Sequence, residues 1–355
     1  MGNKLNQCRI VYVGPLGYGQ TSLHRMNAFS DIGHKLIPVN TIPIEVDSFK
    51  RKLMVEFKSR VLGQSDWARV NEQIIKSVKD ARPHILWVDK GLVVKPETIV
   101  MSKEVCPGIL AVSYSPDDMM NPGNQSFEYL GCIPLYDLHV TTKSYNVQEL
   151  KDLGARDVLF VDNAYCPSVH HPMNVIGKEK EKLGGEVGFI GSQENEREAS
   201  LIFLAQNGID IRIWGQWKKK LIKRHPHLHI MGESLWGDEY AKAISAFDIN
   251  FCFLRKVNRD LQTTRSVEIP ACAAFMIAER TDEHSRLFKE GIEAEFFDSN
   301  EELLSKTRYY LKHDEERKRI AAAGYQRCIK SGYSNQQRMQ EVLNYLGKNH
   351  FTIKE

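Results

Sequence analysis

The stretch Glu186-Val-Gly-Phe-Ile190-Gly191-Ser192 decides the fold, because it restarts a pattern first met at Arg9-Ile-Val-Tyr-Val13. In both places a short apolar run stops at glycine and gives way to helical periodicity, which reads as a β-turn-α unit. Beyond Ser192 a polar helix is expected from about Glu194 to Ala205. Strands are expected at Ile209–Trp214, Asp248–Phe253, Ala274–Ala278 and Glu295–Phe297. From about Asn300 to Asn349 the chain reads as almost all helix, with breaks at Gly324 and at Ser331-Gly332.

Upstream, the 9–13 run meets Gly14-Pro-Leu-Gly17-Tyr-Gly19 and a helix that reaches about Ile32. Further strands are expected at Leu36–Val39, Ile85–Val88, Ile109–Tyr114, Leu138–Thr141 and Asp157–Val161, with a helical stretch from about Ser65 to Lys79. Strands alternating with helices predict a mainly parallel, doubly wound α/β sheet in each half. From Pro167 to Gly185 the chain loses periodicity, collects His170, His171 and Pro172 with no metal expected there, carries Lys178-Glu-Lys-Glu-Lys182 and ends in Gly184-Gly185, so residues 171–185 read as a linker. The expected domains are 1–170 and 186–334, followed by a C-terminal helical segment, 335–355. A chain of 355 residues suits this division, since single cores stop growing near roughly 250 to 300 residues.

Lys and Arg number 48 against 45 Asp and Glu, a formal net charge of +3, which argues against a dedicated nucleic-acid binder. One basic concentration, residues 217–229, reads as a solvated face. Its alternative is peripheral contact with anionic lipid headgroups. The seven cysteines are scattered singly without metal-ligand spacing, so reduced thiols and no metal are expected. No stretch reaches the roughly 18 apolar residues of a membrane helix, and Met1-Gly2 lacks the Ser or Thr of a myristoylation signal. A cytoplasmic location is the expectation, with the inner face of a membrane as its variant.

The charged residues with the clearest placement lie in Asp260-Leu-Gln-Thr-Thr264-Arg265-Ser-Val-Glu268, just before the strand at 274–278. Ligands of open α/β sheets gather at such strand rims. A helix from about Thr263 puts Glu268 one turn past Arg265. A fixed carboxylate suits the vicinal hydroxyls of a sugar or ribose, and a guanidinium suits phosphate. Together they point to a nucleotide-sugar. The Gly191-Ser192 turn offers backbone N–H groups and a helix dipole to a phosphate, or is an ordinary strand-helix turn. His284, with Glu283, reads as a sugar or phosphate contact, or as an exposed residue beside a capping Asp282.

Gly188-Phe-Ile-Gly191-Ser192, Arg197, Arg265-Ser-Val-Glu268-Ile-Pro-Ala-Cys272, Phe275-Met-Ile-Ala278, Leu287-Phe-Lys-Glu-Gly291 and Ala321-Ala-Ala-Gly324 resemble the glycosyltransferase-like domain of the spore-protein CgeB family, near the group 1 (GT4-like) glycosyltransferases. The resemblance covers about two-fifths of the chain, from Val187 to about Ser331. It implies a GT-B fold, two Rossmann-like domains facing across a cleft, with the helix from about Asn335 to Leu346 packing back over the hinge. It also implies sugar transfer from a nucleotide-sugar to a glycan, lipid-linked or protein acceptor, with no cofactor and no metal. Group 1 enzymes carry two Glu residues flanking seven others. The second, matched by Glu268, grips the ribose; the first, near the transferred sugar, is matched by the shorter Asp260. An Arg and a Lys face the donor diphosphate in that group. Here Arg197, Arg255, Lys256 and Arg259 are candidates, and no Lys matches clearly. Thr264 and His284 complete the donor-side set.

On the other half, Gly17 and Gly19 read as an acceptor-side loop or as a tight β-α turn. Arg25 reads as a cleft cation or a solvated helix charge. Asp117 and Asp118, after a strand, could supply a general base or serve as turn residues, and Asp89-Lys90 has the same two readings. Two other functions compete. A non-catalytic GT-B module would bind glycan or a protein partner. An NAD(P)-dependent oxidoreductase would need an acidic residue near the end of the second strand, where only Asn40 or Glu45 stands.

Overall fold

The computed structural model describes residues 7–42, 66, 68–217 and 225–350. Met1-Gly2, Glu45 and residues 218–224 of the basic run lie outside them. The chain divides into two compact units, Met1–Asp162 with Asn335–Glu355, and Asn163–Ser334.

The first unit holds strands β1 (Arg9–Gly14), β2 (Lys35–Asn40), β3 (Ile85–Asp89), β4 (Leu110–Ser115), β5 (Leu138–Thr141) and β6 (Val158–Phe160). They form one parallel sheet in the order β2-β1-β3-β4-β5-β6. Its helices among the described residues include α1 (Thr21–Asp31), α2 (Val70–Ala81), α3 (Pro96–Val105), α4 (Phe127–Cys132) and α5 (Asn146–Asp152). Ile10–Val13 and Ile85–Val88 are buried without alternation, as strands covered on both faces must be. Helix α2 buries Val70, Ile74 and Val78, one stripe at four-residue spacing. Helix α3 starts with Pro96, where the missing N–H is no loss.

The second unit holds β7 (Gly185–Ile190), β8 (Ile211–Trp214), β9 (Leu228–Gly232), β10 (Phe247–Cys252), β11 (Met276–Glu279) and β12 (Glu295–Phe297). This sheet is also parallel, in the order β12-β11-β10-β7-β8-β9. Its helices are α6 (Gly177–Leu183), α7 (Asn195–Gln206), α8 (Gly237–Ala246), α9 (Arg265–Ala271), α10 (Asp282–Leu287), α11 (Asn300–Lys312) and α12 (Asp314–Lys330). Phe189, Ile213, Phe251 and Ile277 pack on one face, and Trp214, Cys252, Met276 and Ala278 on the other.

Several expectations change. Residues 171–185 lie inside the second unit and include α6. Residues 228–232 form an edge strand with Leu228 buried, so this part of the basic run belongs to the sheet. Gly324 does not break the terminal helices; α12 runs through it, and a Cβ there would overlap the carbonyl oxygen of Glu293. The break falls at His313 instead. The last helix, α13 (Asn335–Asn349), packs on α1 within the first unit. Its Met339, Val342, Leu343 and Leu346 recur at helical spacing and enter the core of Ile10, Tyr12 and Phe29. Among the described residues no helix is long and apolar enough to cross a membrane, and all seven cysteines are buried free thiols.

Candidate functional site

The order of the second sheet reverses at β7. From β7 the chain proceeds outward to β8 and β9, then returns to place β10 on the other side of β7. The carboxyl ends of β7 and β10 therefore form a topological switch point, the place where such sheets take ligands. Arg197, in the first turn of α7, lies directly beneath it. The residue is 2% exposed. It donates to the carbonyl of Ser192 at 3.1 Å and to that of Phe253 at 3.4 Å, tying the two strand ends together.

Arg197 is not alone. Its guanidinium lies 5.6 Å from the centre of the Phe189 ring, and that of Arg265, at the start of α9, lies 5.9 Å from the same ring. Arg255, in the loop after β10, bonds Glu194 through Nε at 2.9 Å, and Glu194 stands 3.7 Å from Arg197. Among the described residues Arg265 forms no ion pair, and its Nε is buried without a partner, as is that of Arg197. Arg197 and Arg255 thus share Glu194, and Arg265 beside them has no ion pair among the described residues. Burial, then the neighbouring Arg265, lowers the Arg197 pKa to about 10, against the pull of Glu194. Charge buried this way is costly unless paired. The arrangement is suited to an incoming anion.

One turn along α9, Glu268 is 5% exposed. Its Oε2 accepts from the Tyr240 hydroxyl at 2.7 Å, and its Oε1 lies 3.7 Å from His170 Nε2. Tyr240 does not figure in the sequence reading, and His170 figures there only as a linker residue with no metal assigned. His170 falls within the aperiodic stretch and Tyr240 in a helix hidden after the basic run. Their spacing to residue 268 carries no periodic signal.

The other donor-side residues fare differently. Asp260 is buried after a one-turn helix at 256–258, and its Oδ2 accepts from the Arg255 amide at 3.4 Å, bracing that loop. Thr264 precedes α9, and its carbonyl accepts from Val267 and Glu268 at 3.0 and 2.9 Å. The Gly191 amide is spent on the Trp214 carbonyl at 2.9 Å, so it extends the sheet and is not offered to a phosphate. Ser192 is exposed, and its carbonyl is the one Arg197 holds.

His284 corrects the sequence reading. It is fully buried, with Nε2 at 2.6 Å from Ser266 Oγ and Nδ1 at 2.6 Å from the Glu279 carbonyl, and it stacks on Phe296. Burial lowers its pKa to about 4. The neutral ring fastens α9 to β11 and has no nitrogen left for a sugar.

In the first unit, Gly17, Gly19, Asp89, Asp117 and Asp118 all follow or end strands at the carboxyl edge of their own sheet. Gly19 has φ +78°, which glycine adopts freely, and a Cβ at Gly17 would come within 2.8 Å of Ile42. Asp117 pairs with Lys90 at 2.5 Å and is partly open to solvent. Asp118 is buried, accepting from Asn146 Nδ2 at 3.0 Å and the Met120 amide at 3.1 Å, so it organises its loop. Arg25 is neither a cleft cation nor a solvated charge. It is buried against Asp89 at 2.8 Å, with Tyr12 donating to the same oxygen at 2.9 Å.

Residues 197–344 match the family model described as glycosyl transferase-like. Among solved structures, the chain resembles a glycosyltransferase from Rickettsia africae ESF-5 at 12% identity and TM-score 0.62, covering 98% of this chain and 100% of that one. It also resembles HepE of Anabaena in complex with UDP-glucose, at 10% identity and TM-score 0.64, covering 96% of this chain and all of that one. A sucrose-phosphate synthase from Thermosynechococcus elongatus aligns at 9% identity and TM-score 0.64, over 96% and 99% of the two chains. A comparison with curated proteins found no match. Identities this low speak for the fold, and that fold is the GT-B architecture implied by the sequence resemblance. Residues 197–344 are thus similar to a glycosyl transferase-like domain, in a chain with a GT-B fold.

Proposed function

We propose that this chain is a CgeB-like glycosyltransferase that moves a sugar from a nucleotide-sugar to a glycan, lipid-linked or protein acceptor. The observation that carries the reading is the pair Arg197 and Arg265 at the switch point of the second sheet, buried or half-buried and short of carboxylates. In transfer, the bond from the anomeric carbon to the donor phosphate oxygen breaks as the acceptor oxygen bonds that carbon. The acceptor proton leaves to a base or to the departing phosphate. Charge grows on the diphosphate, and fixed cations stabilise it more in the transition state than in the ground state. The two guanidinium groups supply that charge without a metal.

Glu268, one helical turn away, takes the ribose in this reading. Asp117, with its partly open carboxylate, is the better placed candidate base, because Asp118 is committed to its own loop. The UDP-glucose carried by the Anabaena structure supports a uridine nucleotide as the first donor to try. A second reading, a non-catalytic binder, draws on Asp260, whose carboxylate braces the Arg255 backbone.

Calorimetric titration with UDP, GDP, ADP and CDP and their glucose conjugates tests the donor. Mass analysis of products with a mixed acceptor panel then separates transferase from binder. Binding of none of these nucleotides would refute the donor site, and binding without turnover would favour the second reading.

A further inference from the structure

We propose that Tyr240 and His170 are positioning residues for Glu268, and that they set a preference for ribonucleotide over 2′-deoxyribonucleotide carriers. The inference rests on the donor reading above and deepens it. A carboxylate has two oxygens with two lone pairs each, and a vicinal diol can be gripped by both oxygens only if the group is held at one torsion. Glu268 is hydrogen-bonded on one side and flanked by a buried ring on the other. The Tyr240 hydroxyl, on α8, occupies one lone pair of Oε2 at 2.7 Å. Burial and the adjacent carboxylate raise the phenol pKa well above its ordinary value, with Arg265 opposing, so Tyr240 stays a donor at neutral pH.

His170 flanks the other oxygen without hydrogen-bonding it. Its Nδ1 accepts from the Cys166 amide at 3.0 Å, which leaves the proton of the neutral ring on Nε2, facing Glu268 Oε1 at 3.7 Å. Burial favours that neutral ring, against the pull of Glu268. The ring meets Tyr240 edge-on, with centroids 5.6 Å apart, so each ring fixes the other. Among the described residues Oε1 accepts no hydrogen bond. Its lone pairs are kept for a ligand hydroxyl, while Oε2 has one left for the neighbouring hydroxyl. Loss of either flanking group lets the carboxylate swing and grip one hydroxyl whether or not its neighbour is present.

The test takes whichever of UDP, GDP, ADP and CDP binds most tightly and compares it with its 2′-deoxy counterpart by calorimetry. Wild type is expected to favour the ribonucleotide by about tenfold or more, the value of one hydrogen bond to a charged group. Tyr240→Phe keeps the ring and removes the hydroxyl. His170→Asn keeps an acceptor for the Cys166 amide but removes the group facing Glu268. Both are expected to compress the ratio to under about threefold. His170→Gln, which restores an N–H near the position of Nε2, is expected to retain most of it. A purely structural role predicts that all three weaken both nucleotides equally, and that outcome overturns the proposal. Glu268→Ala separates the two levels. If it leaves affinity and ratio intact, the donor assignment fails. If it collapses the ratio while Tyr240→Phe and His170→Asn do not, only the positioning roles fail.

Discussion

Arg265→Gln separates a ligand cation from a structural one, because the two roles move stability and affinity differently. The side chain has no carboxylate among the described residues, and it lies close enough to Arg197 to lower that pKa. Removing the charge relieves like-charge repulsion and forfeits its contact with the Phe189 ring, which at a half-exposed site is about 0.5 to 1 kcal/mol. These effects oppose each other. At about 2 to 4 °C per kcal/mol for a unit of this size, the melting temperature should shift by less than about 2 °C. Binding should change much more. A hydrogen bond to a charged group contributes about 1.5 to 3 kcal/mol, and partial exposure places Arg265 at the lower end. That corresponds to about tenfold weaker binding of a nucleoside diphosphate. Wild-type affinity should also fall as salt rises, and less steeply in the variant. Calorimetry with UDP at two ionic strengths, alongside a thermal melt, reads both quantities. A drop of several degrees with unchanged affinity would refute the reasoning, since Arg265 would then be holding the fold and not the ligand.

Asp89→Asn leaves Arg25 buried without its charge partner. Urea unfolding of that variant should show a loss of about 3 to 5 kcal/mol, and a loss under 1 kcal/mol would mean that the pair is not essential. His284, with a folded pKa of about 4 against 6.5 for the free side chain, stabilises the fold fully above pH 6.5. That contribution is lost as pH falls from 6.5 through 4, by about 3 kcal/mol, because the unfolded chain binds the proton first. A melting profile over that window should flatten in His284→Asn, and an unchanged profile would assign the acid sensitivity elsewhere. Gly324→Ala should lower stability by about 1 to 3 kcal/mol, because the added methyl meets the Glu293 backbone and cannot turn away. Helix propensity alone predicts a gain of about 1 kcal/mol, so a higher melting point would show that the backbone relaxes.

Strands buried on both faces were the legible part of this chain. Ile10–Val13, Ile85–Val88 and Ala274–Ala278 announce themselves as apolar runs, and the α/β alternation follows from them. Leu228–Gly232 was hidden because an edge strand with one buried side chain at its start looks like the charged segment beside it. Gly324 misled because a glycine that admits a neighbouring backbone has the same letter as one that ends a helix. In the site, Arg265 and Glu268 were legible because they lie one turn apart on one helix. Arg197 was named, but its link between two strand ends depends on Phe253, which is 56 residues away. His170 and Tyr240 were beyond reach for the same reason, and no local pattern distinguishes a buried neutral histidine such as His284 from one at a ligand.

Helix α13 has a consequence for biosynthesis. The second unit is an uninterrupted segment, whereas the first is assembled from segments on either side of it, with Met339, Val342 and Leu346 following the second unit in the chain. During translation the 163–334 portion is complete while its partner still lacks one wall of its apolar interior. A fragment stopped at residue 162 would leave Ile10, Tyr12 and Phe29 uncovered along that wall, so dissection of the protein should begin with the later-encoded half.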